Sequence, residues 1–335
     1  MSARGPIGPR QVDERACDGG GCGVMQVIYT NSSSLAASAY VKRAAEAARG
    51  LRAVLPLAYP LVLAGVPHTF SLLDTGSQKA WDRHITIEPS VGRLDGAQLR
   101  ILERIGTAVE ANRNPTMPYA PWKLLGLLSS PFRRTLFLDV DVFVLDRSLA
   151  PSLLERSLRL ADVAMPVDAG RQNHAGDWWQ RMAGTGPLCS AVVAFQSNAA
   201  TQTLFRGALR QLLARSHPEA CVDYTPEHAR RRNVSRKISC QPMRQGDQMY
   251  IMMEWIRAAD PALRVVALPE EYYCPSMRLS GANPQSLHAE WANSYSQRLE
   301  NFNKKYHCRA VHGRFLLSEP DRRAGGMPHL KPPGA

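Results

Sequence analysis

The chain has 335 residues, of which 44% are hydrophobic and 21% are charged, a composition typical of globular proteins. Neither a fibrous nor an intrinsically disordered protein has this composition. No stretch approaches the roughly 20 consecutive apolar residues of a transmembrane helix, and residues 1–23 lack the apolar core of a signal peptide. We therefore expect no transmembrane segment.

The formal net charge of +12 is compatible with nucleic acid, an anionic membrane or a phosphorylated ligand as the partner. Many basic residues are arginines scattered along the chain, so we expect no nucleic-acid partner. The densest basic segment, HARRRNVSRK at 228–237, is typical of a solvent-exposed loop, and a binding stripe is the alternative interpretation.

The seven cysteines form no CxxC pair and no zinc-finger spacing, which argues against a structural zinc site. Cys221 and Cys240 flank the basic segment. In an oxidising compartment these two residues could form a disulfide that closes it.

The first elements alternate between strand and helix. A glycine-rich leader, residues 1–23, precedes the strand VMQVIYT at 24–30. The helix SLAASAYVKRAAEAARGL follows, and YPLVLAGV at 59–66 is a second buried strand. This order predicts an α/β fold with a mixed, mostly parallel central sheet flanked by helices, whose ligands bind beyond the carboxyl ends of the strands.

The remaining elements are expected within one domain at 24–320, with a nucleotide-binding half at about 24–145, an acceptor half at about 146–320 and a flexible tail at 321–335. They are a helix at 93–112, a short apolar helix within 118–134 that Ser-Ser-Pro stops, the apolar run RTLFLDVDVFVL at 134–145, strands at 162–169 and 188–195, a helix at 199–214, the helix GDQMYIMMEWIRAA, and strands at RVVALP and RAVHGRF.

The apolar run at 134–145 contains two acids, Asp139 and Asp141. Burying an ionised carboxylate without a partner is costly, so these acids predict a cation nearby. Two carboxylates at the end of a strand form a hard oxygen site that suits Mg²⁺ or Mn²⁺ carrying phosphate oxygens. A strand that ends in solvent is the structural alternative. Phosphatases of the haloacid-dehalogenase type share this local pattern, but they usually carry it on their first strand, so that interpretation ranks second.

From its first strand onward, over roughly residues 24–316, the chain resembles the GT-A-fold glycosyltransferases, in particular glycogenin and galactinol synthase. VIYTNSS resembles the turn that holds the nucleotide, at Thr30 and Asn31, although Asn31 could simply cap a helix. Lys123 matches a lysine that reaches the donor's phosphates; otherwise it is a surface lysine. The resemblance also assigns the DxD residues, Asp139, Val140 and Asp141, to the donor.

Later segments continue the resemblance. AMPVDAG makes Asp168 a donor-sugar ligand, and LCSAVVAFQSN keeps Ser190 but has Cys189 and Ala191 where the family has Asn and Gly. GDQMYIMM resembles the Asp-Gln that opens a helix beside the donor's anomeric carbon, which makes Asp247 and Gln248 the candidate catalytic residues; otherwise Asp247 is a plain helix N-cap.

The resemblance implies a divalent cation, Mn²⁺ or Mg²⁺, held by Asp139, Asp141 and His312 of AVHGRF. The family's Lys-Pro-Trp after this histidine is missing, and Arg314 is the candidate replacement for its diphosphate contact.

The implied activity is metal-dependent transfer of a sugar from a nucleotide-diphospho-sugar, with UDP as the expected nucleotide and with retention at the anomeric carbon. The acceptor is unidentified and could be carbohydrate, protein or lipid-linked. It is expected near loops 170–187 and 215–245, which contain His174, Trp178 and Trp179. An inactive nucleotide-sugar-binding module of the same fold is a third possibility. The compartment stays open between the Golgi lumen and the cytoplasm, with Asn233 of NVS a candidate glycosylation site.

Overall fold

The structure is a computed structural model that describes residues 17, 21–30, 35–111, 119–140, 142–144, 146–167, 188–215, 221–223, 238–240, 246–269, 272 and 310–312. Seven strands of the described chain form the central sheet. They are β1 (Cys22–Ile28), β2 (Leu61–Gly65), β3 (Arg83–Thr86), β4 (Arg134–Leu138), β6 (Val163–Pro166), β7 (Val192–Gln196) and β10 (Val265–Leu268).

The order of the strands across this sheet is β10-β6-β7-β4-β1-β2-β3. All neighbouring pairs are parallel except those of β7, which is antiparallel to both β4 and β6. The predicted α/β class with a mixed, mostly parallel central sheet is therefore confirmed. The predicted β, α, β start is confirmed as well, because β1 pairs with β2 in parallel across an intervening helix.

Helices cover both faces of the sheet. In chain order they are α1 (Leu35–Val54), α2 (Pro67–Ser71), α3 (Thr75–Gln78), α4 (Gly96–Ala111), α5 (Tyr119–Leu128), α6 (Leu149–Pro151), a π-helical turn (Ser152–Ser157), α7 (Leu158–Leu160), α8 (Ala199–Arg215) and α9 (Gly246–Ala258).

The buried core forms two clusters, one on each face of the sheet, because alternate residues of a strand point to opposite faces. On β1, Val24 and Ile28 pack with α1 and the π-helical segment. Met25 and Val27 of the same strand pack with α5, α8 and α9. The inner strands β1, β2 and β6 are buried along their whole length, which explains their mainly apolar sequences, whereas the edge strand β3 is largely exposed.

The start of β1 differs from the sequence expectation, since the strand begins at Cys22 and ends at Ile28. A disulfide between Cys17 and Cys22 joins part of the predicted leader to this strand. Cys22 and Gly23, the last two residues assigned to the leader, thus belong to β1.

The apolar run at 134–145 forms two strands instead of one. β4 ends at Leu138, and β5 (Val142–Val144) follows after a turn in which the amide of Val142 donates to the carbonyl of Asp139 at 2.9 Å. Asp139, the first acid of the motif, belongs to this turn and therefore lies beyond the buried strand.

Two small sheets complete the described structure. β11 (Ala310–His312) pairs antiparallel with β5, and β8 (Cys221–Asp223) pairs antiparallel with β9 (Ile238–Cys240). The basic segment 228–237 between β8 and β9 lies outside the described residues. Among the helices that the structure describes, none combines the length and the apolar character that crossing a membrane requires.

Candidate active site

The candidate site lies where β1 and β4, two parallel neighbours, reach their carboxyl ends. Asp139 is the first residue after β4, and its amide donates to the carbonyl of Ala191 at 2.9 Å, which ties it to the residue before β7. Ligands of α/β proteins bind at this edge of the sheet. The position agrees with the one that the sequence predicts for the motif.

Helix α5 packs unusually close to β1, and a glycine makes this possible. A Cβ atom on Gly126 would lie 2.4 Å from Cγ2 of Val27. Leu124, Leu125 and Leu127 are buried against the same face of the sheet. The close approach brings the polar residues in the first turns of α5 to the carboxyl end of β4.

Lys123 of α5 is the centre of the site. Its side chain is 1% exposed, and its Nζ lies 2.9 Å from Oδ1 of Asp139 and 3.1 Å from Oδ2 of Asp247. Nζ also donates to Oδ2 of Asp139 at 3.2 Å and to Oγ of Ser190 at 3.3 Å. One ammonium group thus joins three segments that are distant in sequence.

The charge balance keeps this lysine protonated. Burial disfavours the charged ammonium, but the carboxylates of Asp139 and Asp247 outweigh it, so the pKa of Lys123 is raised above its ordinary value. The ring of Phe137 lies with its centroid 4.8 Å from Nζ and adds a cation–π contact. Lys123 is therefore a fixed positive charge inside an acidic site.

Tyr119 is a residue of the site that the sequence interpretation missed. Its hydroxyl donates to Oδ1 of Asp139 at 2.9 Å and lies 3.3 Å from the carbonyl of Val27. Burial, followed by the nearby charge of Asp139, raises the pKa of Tyr119 well above its ordinary value, so the hydroxyl keeps its proton. Tyr119 precedes Lys123 by four residues on one helix, and this i, i+4 spacing is the signal that identifies it in the sequence.

Asp247 and Gln248 lie in the first turn of α9 and are both 8% exposed. An acid in the first turn of a helix is favoured by the helix dipole. Oδ2 of Asp247 is close to Lys123 but poorly aligned with it, and it makes no hydrogen bond to any described residue. This buried carboxylate oxygen is consequently available to a hydroxyl group of a ligand.

Of the three predicted metal ligands, the structure describes the side chain of Asp139 and the backbone of His312. In the β5–β11 pairing, His312 is the register partner of Val142, which directly follows Asp141 in the chain. The backbone thus brings the late histidine next to the DxD turn, and carboxylate and imidazole groups suit Mn²⁺ or Mg²⁺. The side chains of Asp141 and His312 lie outside the described part, within which no group of three metal-binding side chains occurs.

The described donor-binding candidates are mostly buried. Thr30 is 3% exposed, and its amide donates a hydrogen bond to Oγ1 of Thr69 at 3.1 Å. Val140 is packed in the core, and Ser190 contacts Lys123. The other predicted residues lie outside the described part of the chain: Asn31, Asp168, His174, Trp178, Trp179 and Arg314.

A stacked aromatic pair stands beside the site and was also missed. The rings of Tyr29, directly after β1, and Trp122, next to Lys123 on α5, are almost parallel, at 8°, with centroids 4.6 Å apart. Nε1 of Trp122 is buried without a hydrogen-bond partner among the described residues. The stack is a second attachment of α5 to the end of β1.

Three solved structures that are similar to the chain are those of glycosyltransferases. Galactosyltransferase LgtC in complex with donor and acceptor sugar analogs has a TM-score of 0.41 and 12% identity, covering 86% of this chain and 86% of that one. Mouse xyloside xylosyltransferase 1, in its apo form, has a TM-score of 0.41 and 12% identity, covering 87% of this chain and 96% of that one. An active-site mutant of LgtC has a TM-score of 0.40 and 13% identity, with coverage of 86% and 86%.

No protein-family model matches the chain, and no curated protein matches it. Structural similarity at this level leaves the function to be inferred from the geometry of the site.

Proposed function

We propose that the chain is a metal-dependent glycosyltransferase of the GT-A fold, which moves a sugar from a nucleotide-diphospho-sugar to an acceptor. A UDP-sugar is the proposed donor, and retention is the proposed stereochemistry. One observation carries the proposal: Asp139 and Asp247 meet around Lys123 at the carboxyl edge of the sheet. Carboxylates from two distant elements are thereby concentrated where α/β proteins bind nucleotides.

The proposed cation site consists of Asp139, Asp141 and His312. The side chain of Asp139 is 21% exposed, so this carboxylate is partly open to solvent, unlike the buried Lys123 beside it. The register of His312 with Val142 supports the inclusion of the histidine. When bound, Mn²⁺ or Mg²⁺ supplies Lewis-acid stabilisation of the charge that develops on a diphosphate leaving group.

The proposed sugar site faces the start of α9. Oδ2 of Asp247 is buried without a hydrogen bond in the described structure, so a donor hydroxyl in that position gives it the missing partner. We assign Gln248, Asp168 and Ser190 to orientation of the sugar, and Asp247 or Gln248 to the neighbourhood of the reacting carbon. Thr30, Asn31, Val140 and Arg314 complete the proposed donor site, with Arg314 at the diphosphate. The acceptor is a carbohydrate, a protein or a lipid-linked group.

The test is hydrolysis of a panel of UDP-sugars in the presence of Mn²⁺. We expect release of UDP by the parent protein and a loss of about 100-fold or more in Asp141→Ala, because the variant lacks a ligand of the cation. Glu88→Ala removes an exposed carboxylate on the turn after β3 and is the matched control, with unchanged turnover.

The same proteins distinguish the two alternatives. A phosphatase of the haloacid-dehalogenase type shows no turnover of any nucleotide-sugar, but it hydrolyses a phosphate ester and loses that activity in Asp139→Asn. An inactive module binds UDP with Mn²⁺ and turns over neither substrate class. Either result rejects the proposed transferase.

A further inference from the structure

We propose that Lys123 and Tyr119 are positioning residues, which hold the carboxylates of Asp139 and Asp247 in place, and that Lys123 does not bind the donor's phosphates. This inference rests on the proposed function. It differs from the role that the family resemblance assigns to Lys123, and it adds Tyr119 to the residues on which the reaction depends.

Oxygen atoms of three side chains surround the ammonium of Lys123. Three side chains, those of Asp139, Asp247 and Ser190, lie within 3.3 Å of Nζ of Lys123. With its side chain 1% exposed, Lys123 can meet a phosphate only after one of these three groups has been displaced.

The charges explain why the lysine is needed. Asp139 and Asp247 belong to different elements, and each lies about 3 Å from the same nitrogen. Without the cation between them, the two carboxylates repel each other, and each loses its contact with the ammonium in a partly buried site. Lys123 therefore determines how far apart the two acids stand.

Tyr119 completes the arrangement by fixing the rotation of one carboxylate. Its hydroxyl contacts both the carbonyl of Val27 on β1 and Oδ1 of Asp139. Oδ1 is thus held by Tyr119 and Lys123 together, and both residues project from the first two turns of α5. A correctly oriented carboxylate is what a catalytic cation site requires.

The experiment compares UDP affinity with turnover. Dissociation constants for UDP with Mn²⁺ are measured by calorimetry, and kcat is measured with the UDP-sugar that the parent hydrolyses. In Lys123→Met we expect a Kd within about threefold of the parent and a kcat lower by about 100-fold or more, since positioning affects the transition state more than binding. In Tyr119→Phe we expect a kcat lower by about tenfold, in line with the loss of one hydrogen bond to a charged group.

Lys79→Met, a substitution of an exposed lysine after α3, is the matched control and is expected to change neither quantity. A phosphate ligand gives the opposite pattern, so a Kd raised by about tenfold or more in Lys123→Met overturns the inference, as does an unchanged kcat. If Lys123→Met does not fold, the double variant Lys123→Met/Asp247→Asn is used, because it removes one negative charge along with the positive one. Its Kd for UDP is then compared with that of the parent by the same criterion.

The outcome for the parent separates this inference from the proposed function. If the parent releases UDP but Lys123→Met has a raised Kd for UDP or an unchanged kcat, the positioning role alone is overturned. A parent that neither binds UDP with Mn²⁺ nor turns over a UDP-sugar overturns the proposed function and the positioning role together.

Discussion

The hydroxyl of Tyr119 donates to Asp139 at 2.9 Å, and one helical turn later Lys123 contacts the same carboxylate at 2.9 Å. The orientation of the first acid of the DxD motif is thus determined by α5, the helix that precedes β4 in the chain. Lys123 extends this control to Asp247 on α9. The position of α5 against the sheet therefore decides whether the site is assembled.

The first prediction concerns the glycine that lets α5 approach β1. In Gly126→Ala the new methyl group would lie 2.4 Å from Cγ2 of Val27, so α5 must shift. We expect the free energy of unfolding to fall by about 1–3 kcal/mol, the usual range for overpacking, and turnover to fall as well. Urea denaturation measures the first effect, and UDP release measures the second.

The control for this prediction is Gly96→Ala at the start of α4. A Cβ there meets only Arg100 Nη1 at 3.6 Å, an ordinary contact, so we expect no loss of stability. Equal stabilities for the two alanine variants would contradict the close approach of α5 to β1.

The second prediction concerns the pH dependence of stability. Because neighbouring carboxylates outweigh burial, the pKa of Lys123 is higher in the folded protein than in the unfolded chain. The stabilisation from this proton is complete below the unfolded pKa of about 10.4 and is lost as the pH rises above it. We expect the parent to exceed Lys123→Met by about 3–5 kcal/mol in free energy of unfolding at pH 7, the cost of breaking a buried ion pair.

The measurement is urea denaturation between neutral and strongly alkaline pH. The difference between parent and Lys123→Met is expected to be constant up to about pH 10 and to shrink at higher pH. For Lys79→Met the difference should stay small throughout. If the difference in free energy of unfolding between the parent and Lys123→Met shrinks already between pH 7 and pH 9, the pKa of Lys123 is lowered in the folded protein.

The order and class of the elements were predictable from the sequence because long buried strands and amphipathic helices have distinct periodicities. β1 and β2, the helix between them and the helix at Ala199–Arg215 all follow their sequence patterns. The direction of β7 was not predictable. A short apolar run has the same pattern in a parallel and an antiparallel position, and its pairing depends on residues far away in the chain.

The site was predictable in its parts but not in its contacts. The sequence identifies Lys123, Asp139, Ser190 and Asp247 separately, and the structure brings all four together. A single lysine on an apolar helix is expected at the surface or in contact with a ligand. Its burial between two acids could therefore not be predicted from the neighbouring residues in the sequence. Tyr119 was recoverable from its spacing to Lys123.

The third prediction concerns Asp247. Asp247→Asn preserves the size of the side chain but removes the charge, while Lys123 keeps its contact with Asp139. We expect kcat to fall by about 100-fold or more, as for loss of one charge-stabilising group at a reacting centre, with UDP affinity nearly unchanged. Asp260→Asn, in the turn after α9, is the control for a general effect on this region. Full activity in Asp247→Asn would exclude this residue from the reaction.

The last prediction concerns the cysteines. Cys17 and Cys22 form a disulfide, and Cys189 is buried and forms no disulfide with a described residue. The backbones of Cys221 and Cys240 are register partners in the β8–β9 pair. Opposite residues of an antiparallel pair have Cα atoms about 4.5–5.5 Å apart, which falls within the range for disulfides. We therefore expect a second disulfide, Cys221–Cys240, when the protein folds in an oxidising compartment.

Peptide mapping of the unreduced, alkylated protein tests this pairing. We expect one linked peptide pair that contains Cys221 and Cys240, and alkylation of Cys189 only after unfolding. In the chain-entropy model, Cys221→Ser/Cys240→Ser lowers the free energy of unfolding by about 3 kcal/mol, because the disulfide closes a loop of intermediate length. The control, Cys189→Ser, leaves both disulfides in the map. Alkylation of Cys221 and Cys240 in protein isolated under oxidising conditions would contradict the prediction, whereas their alkylation in protein from a reducing compartment is expected.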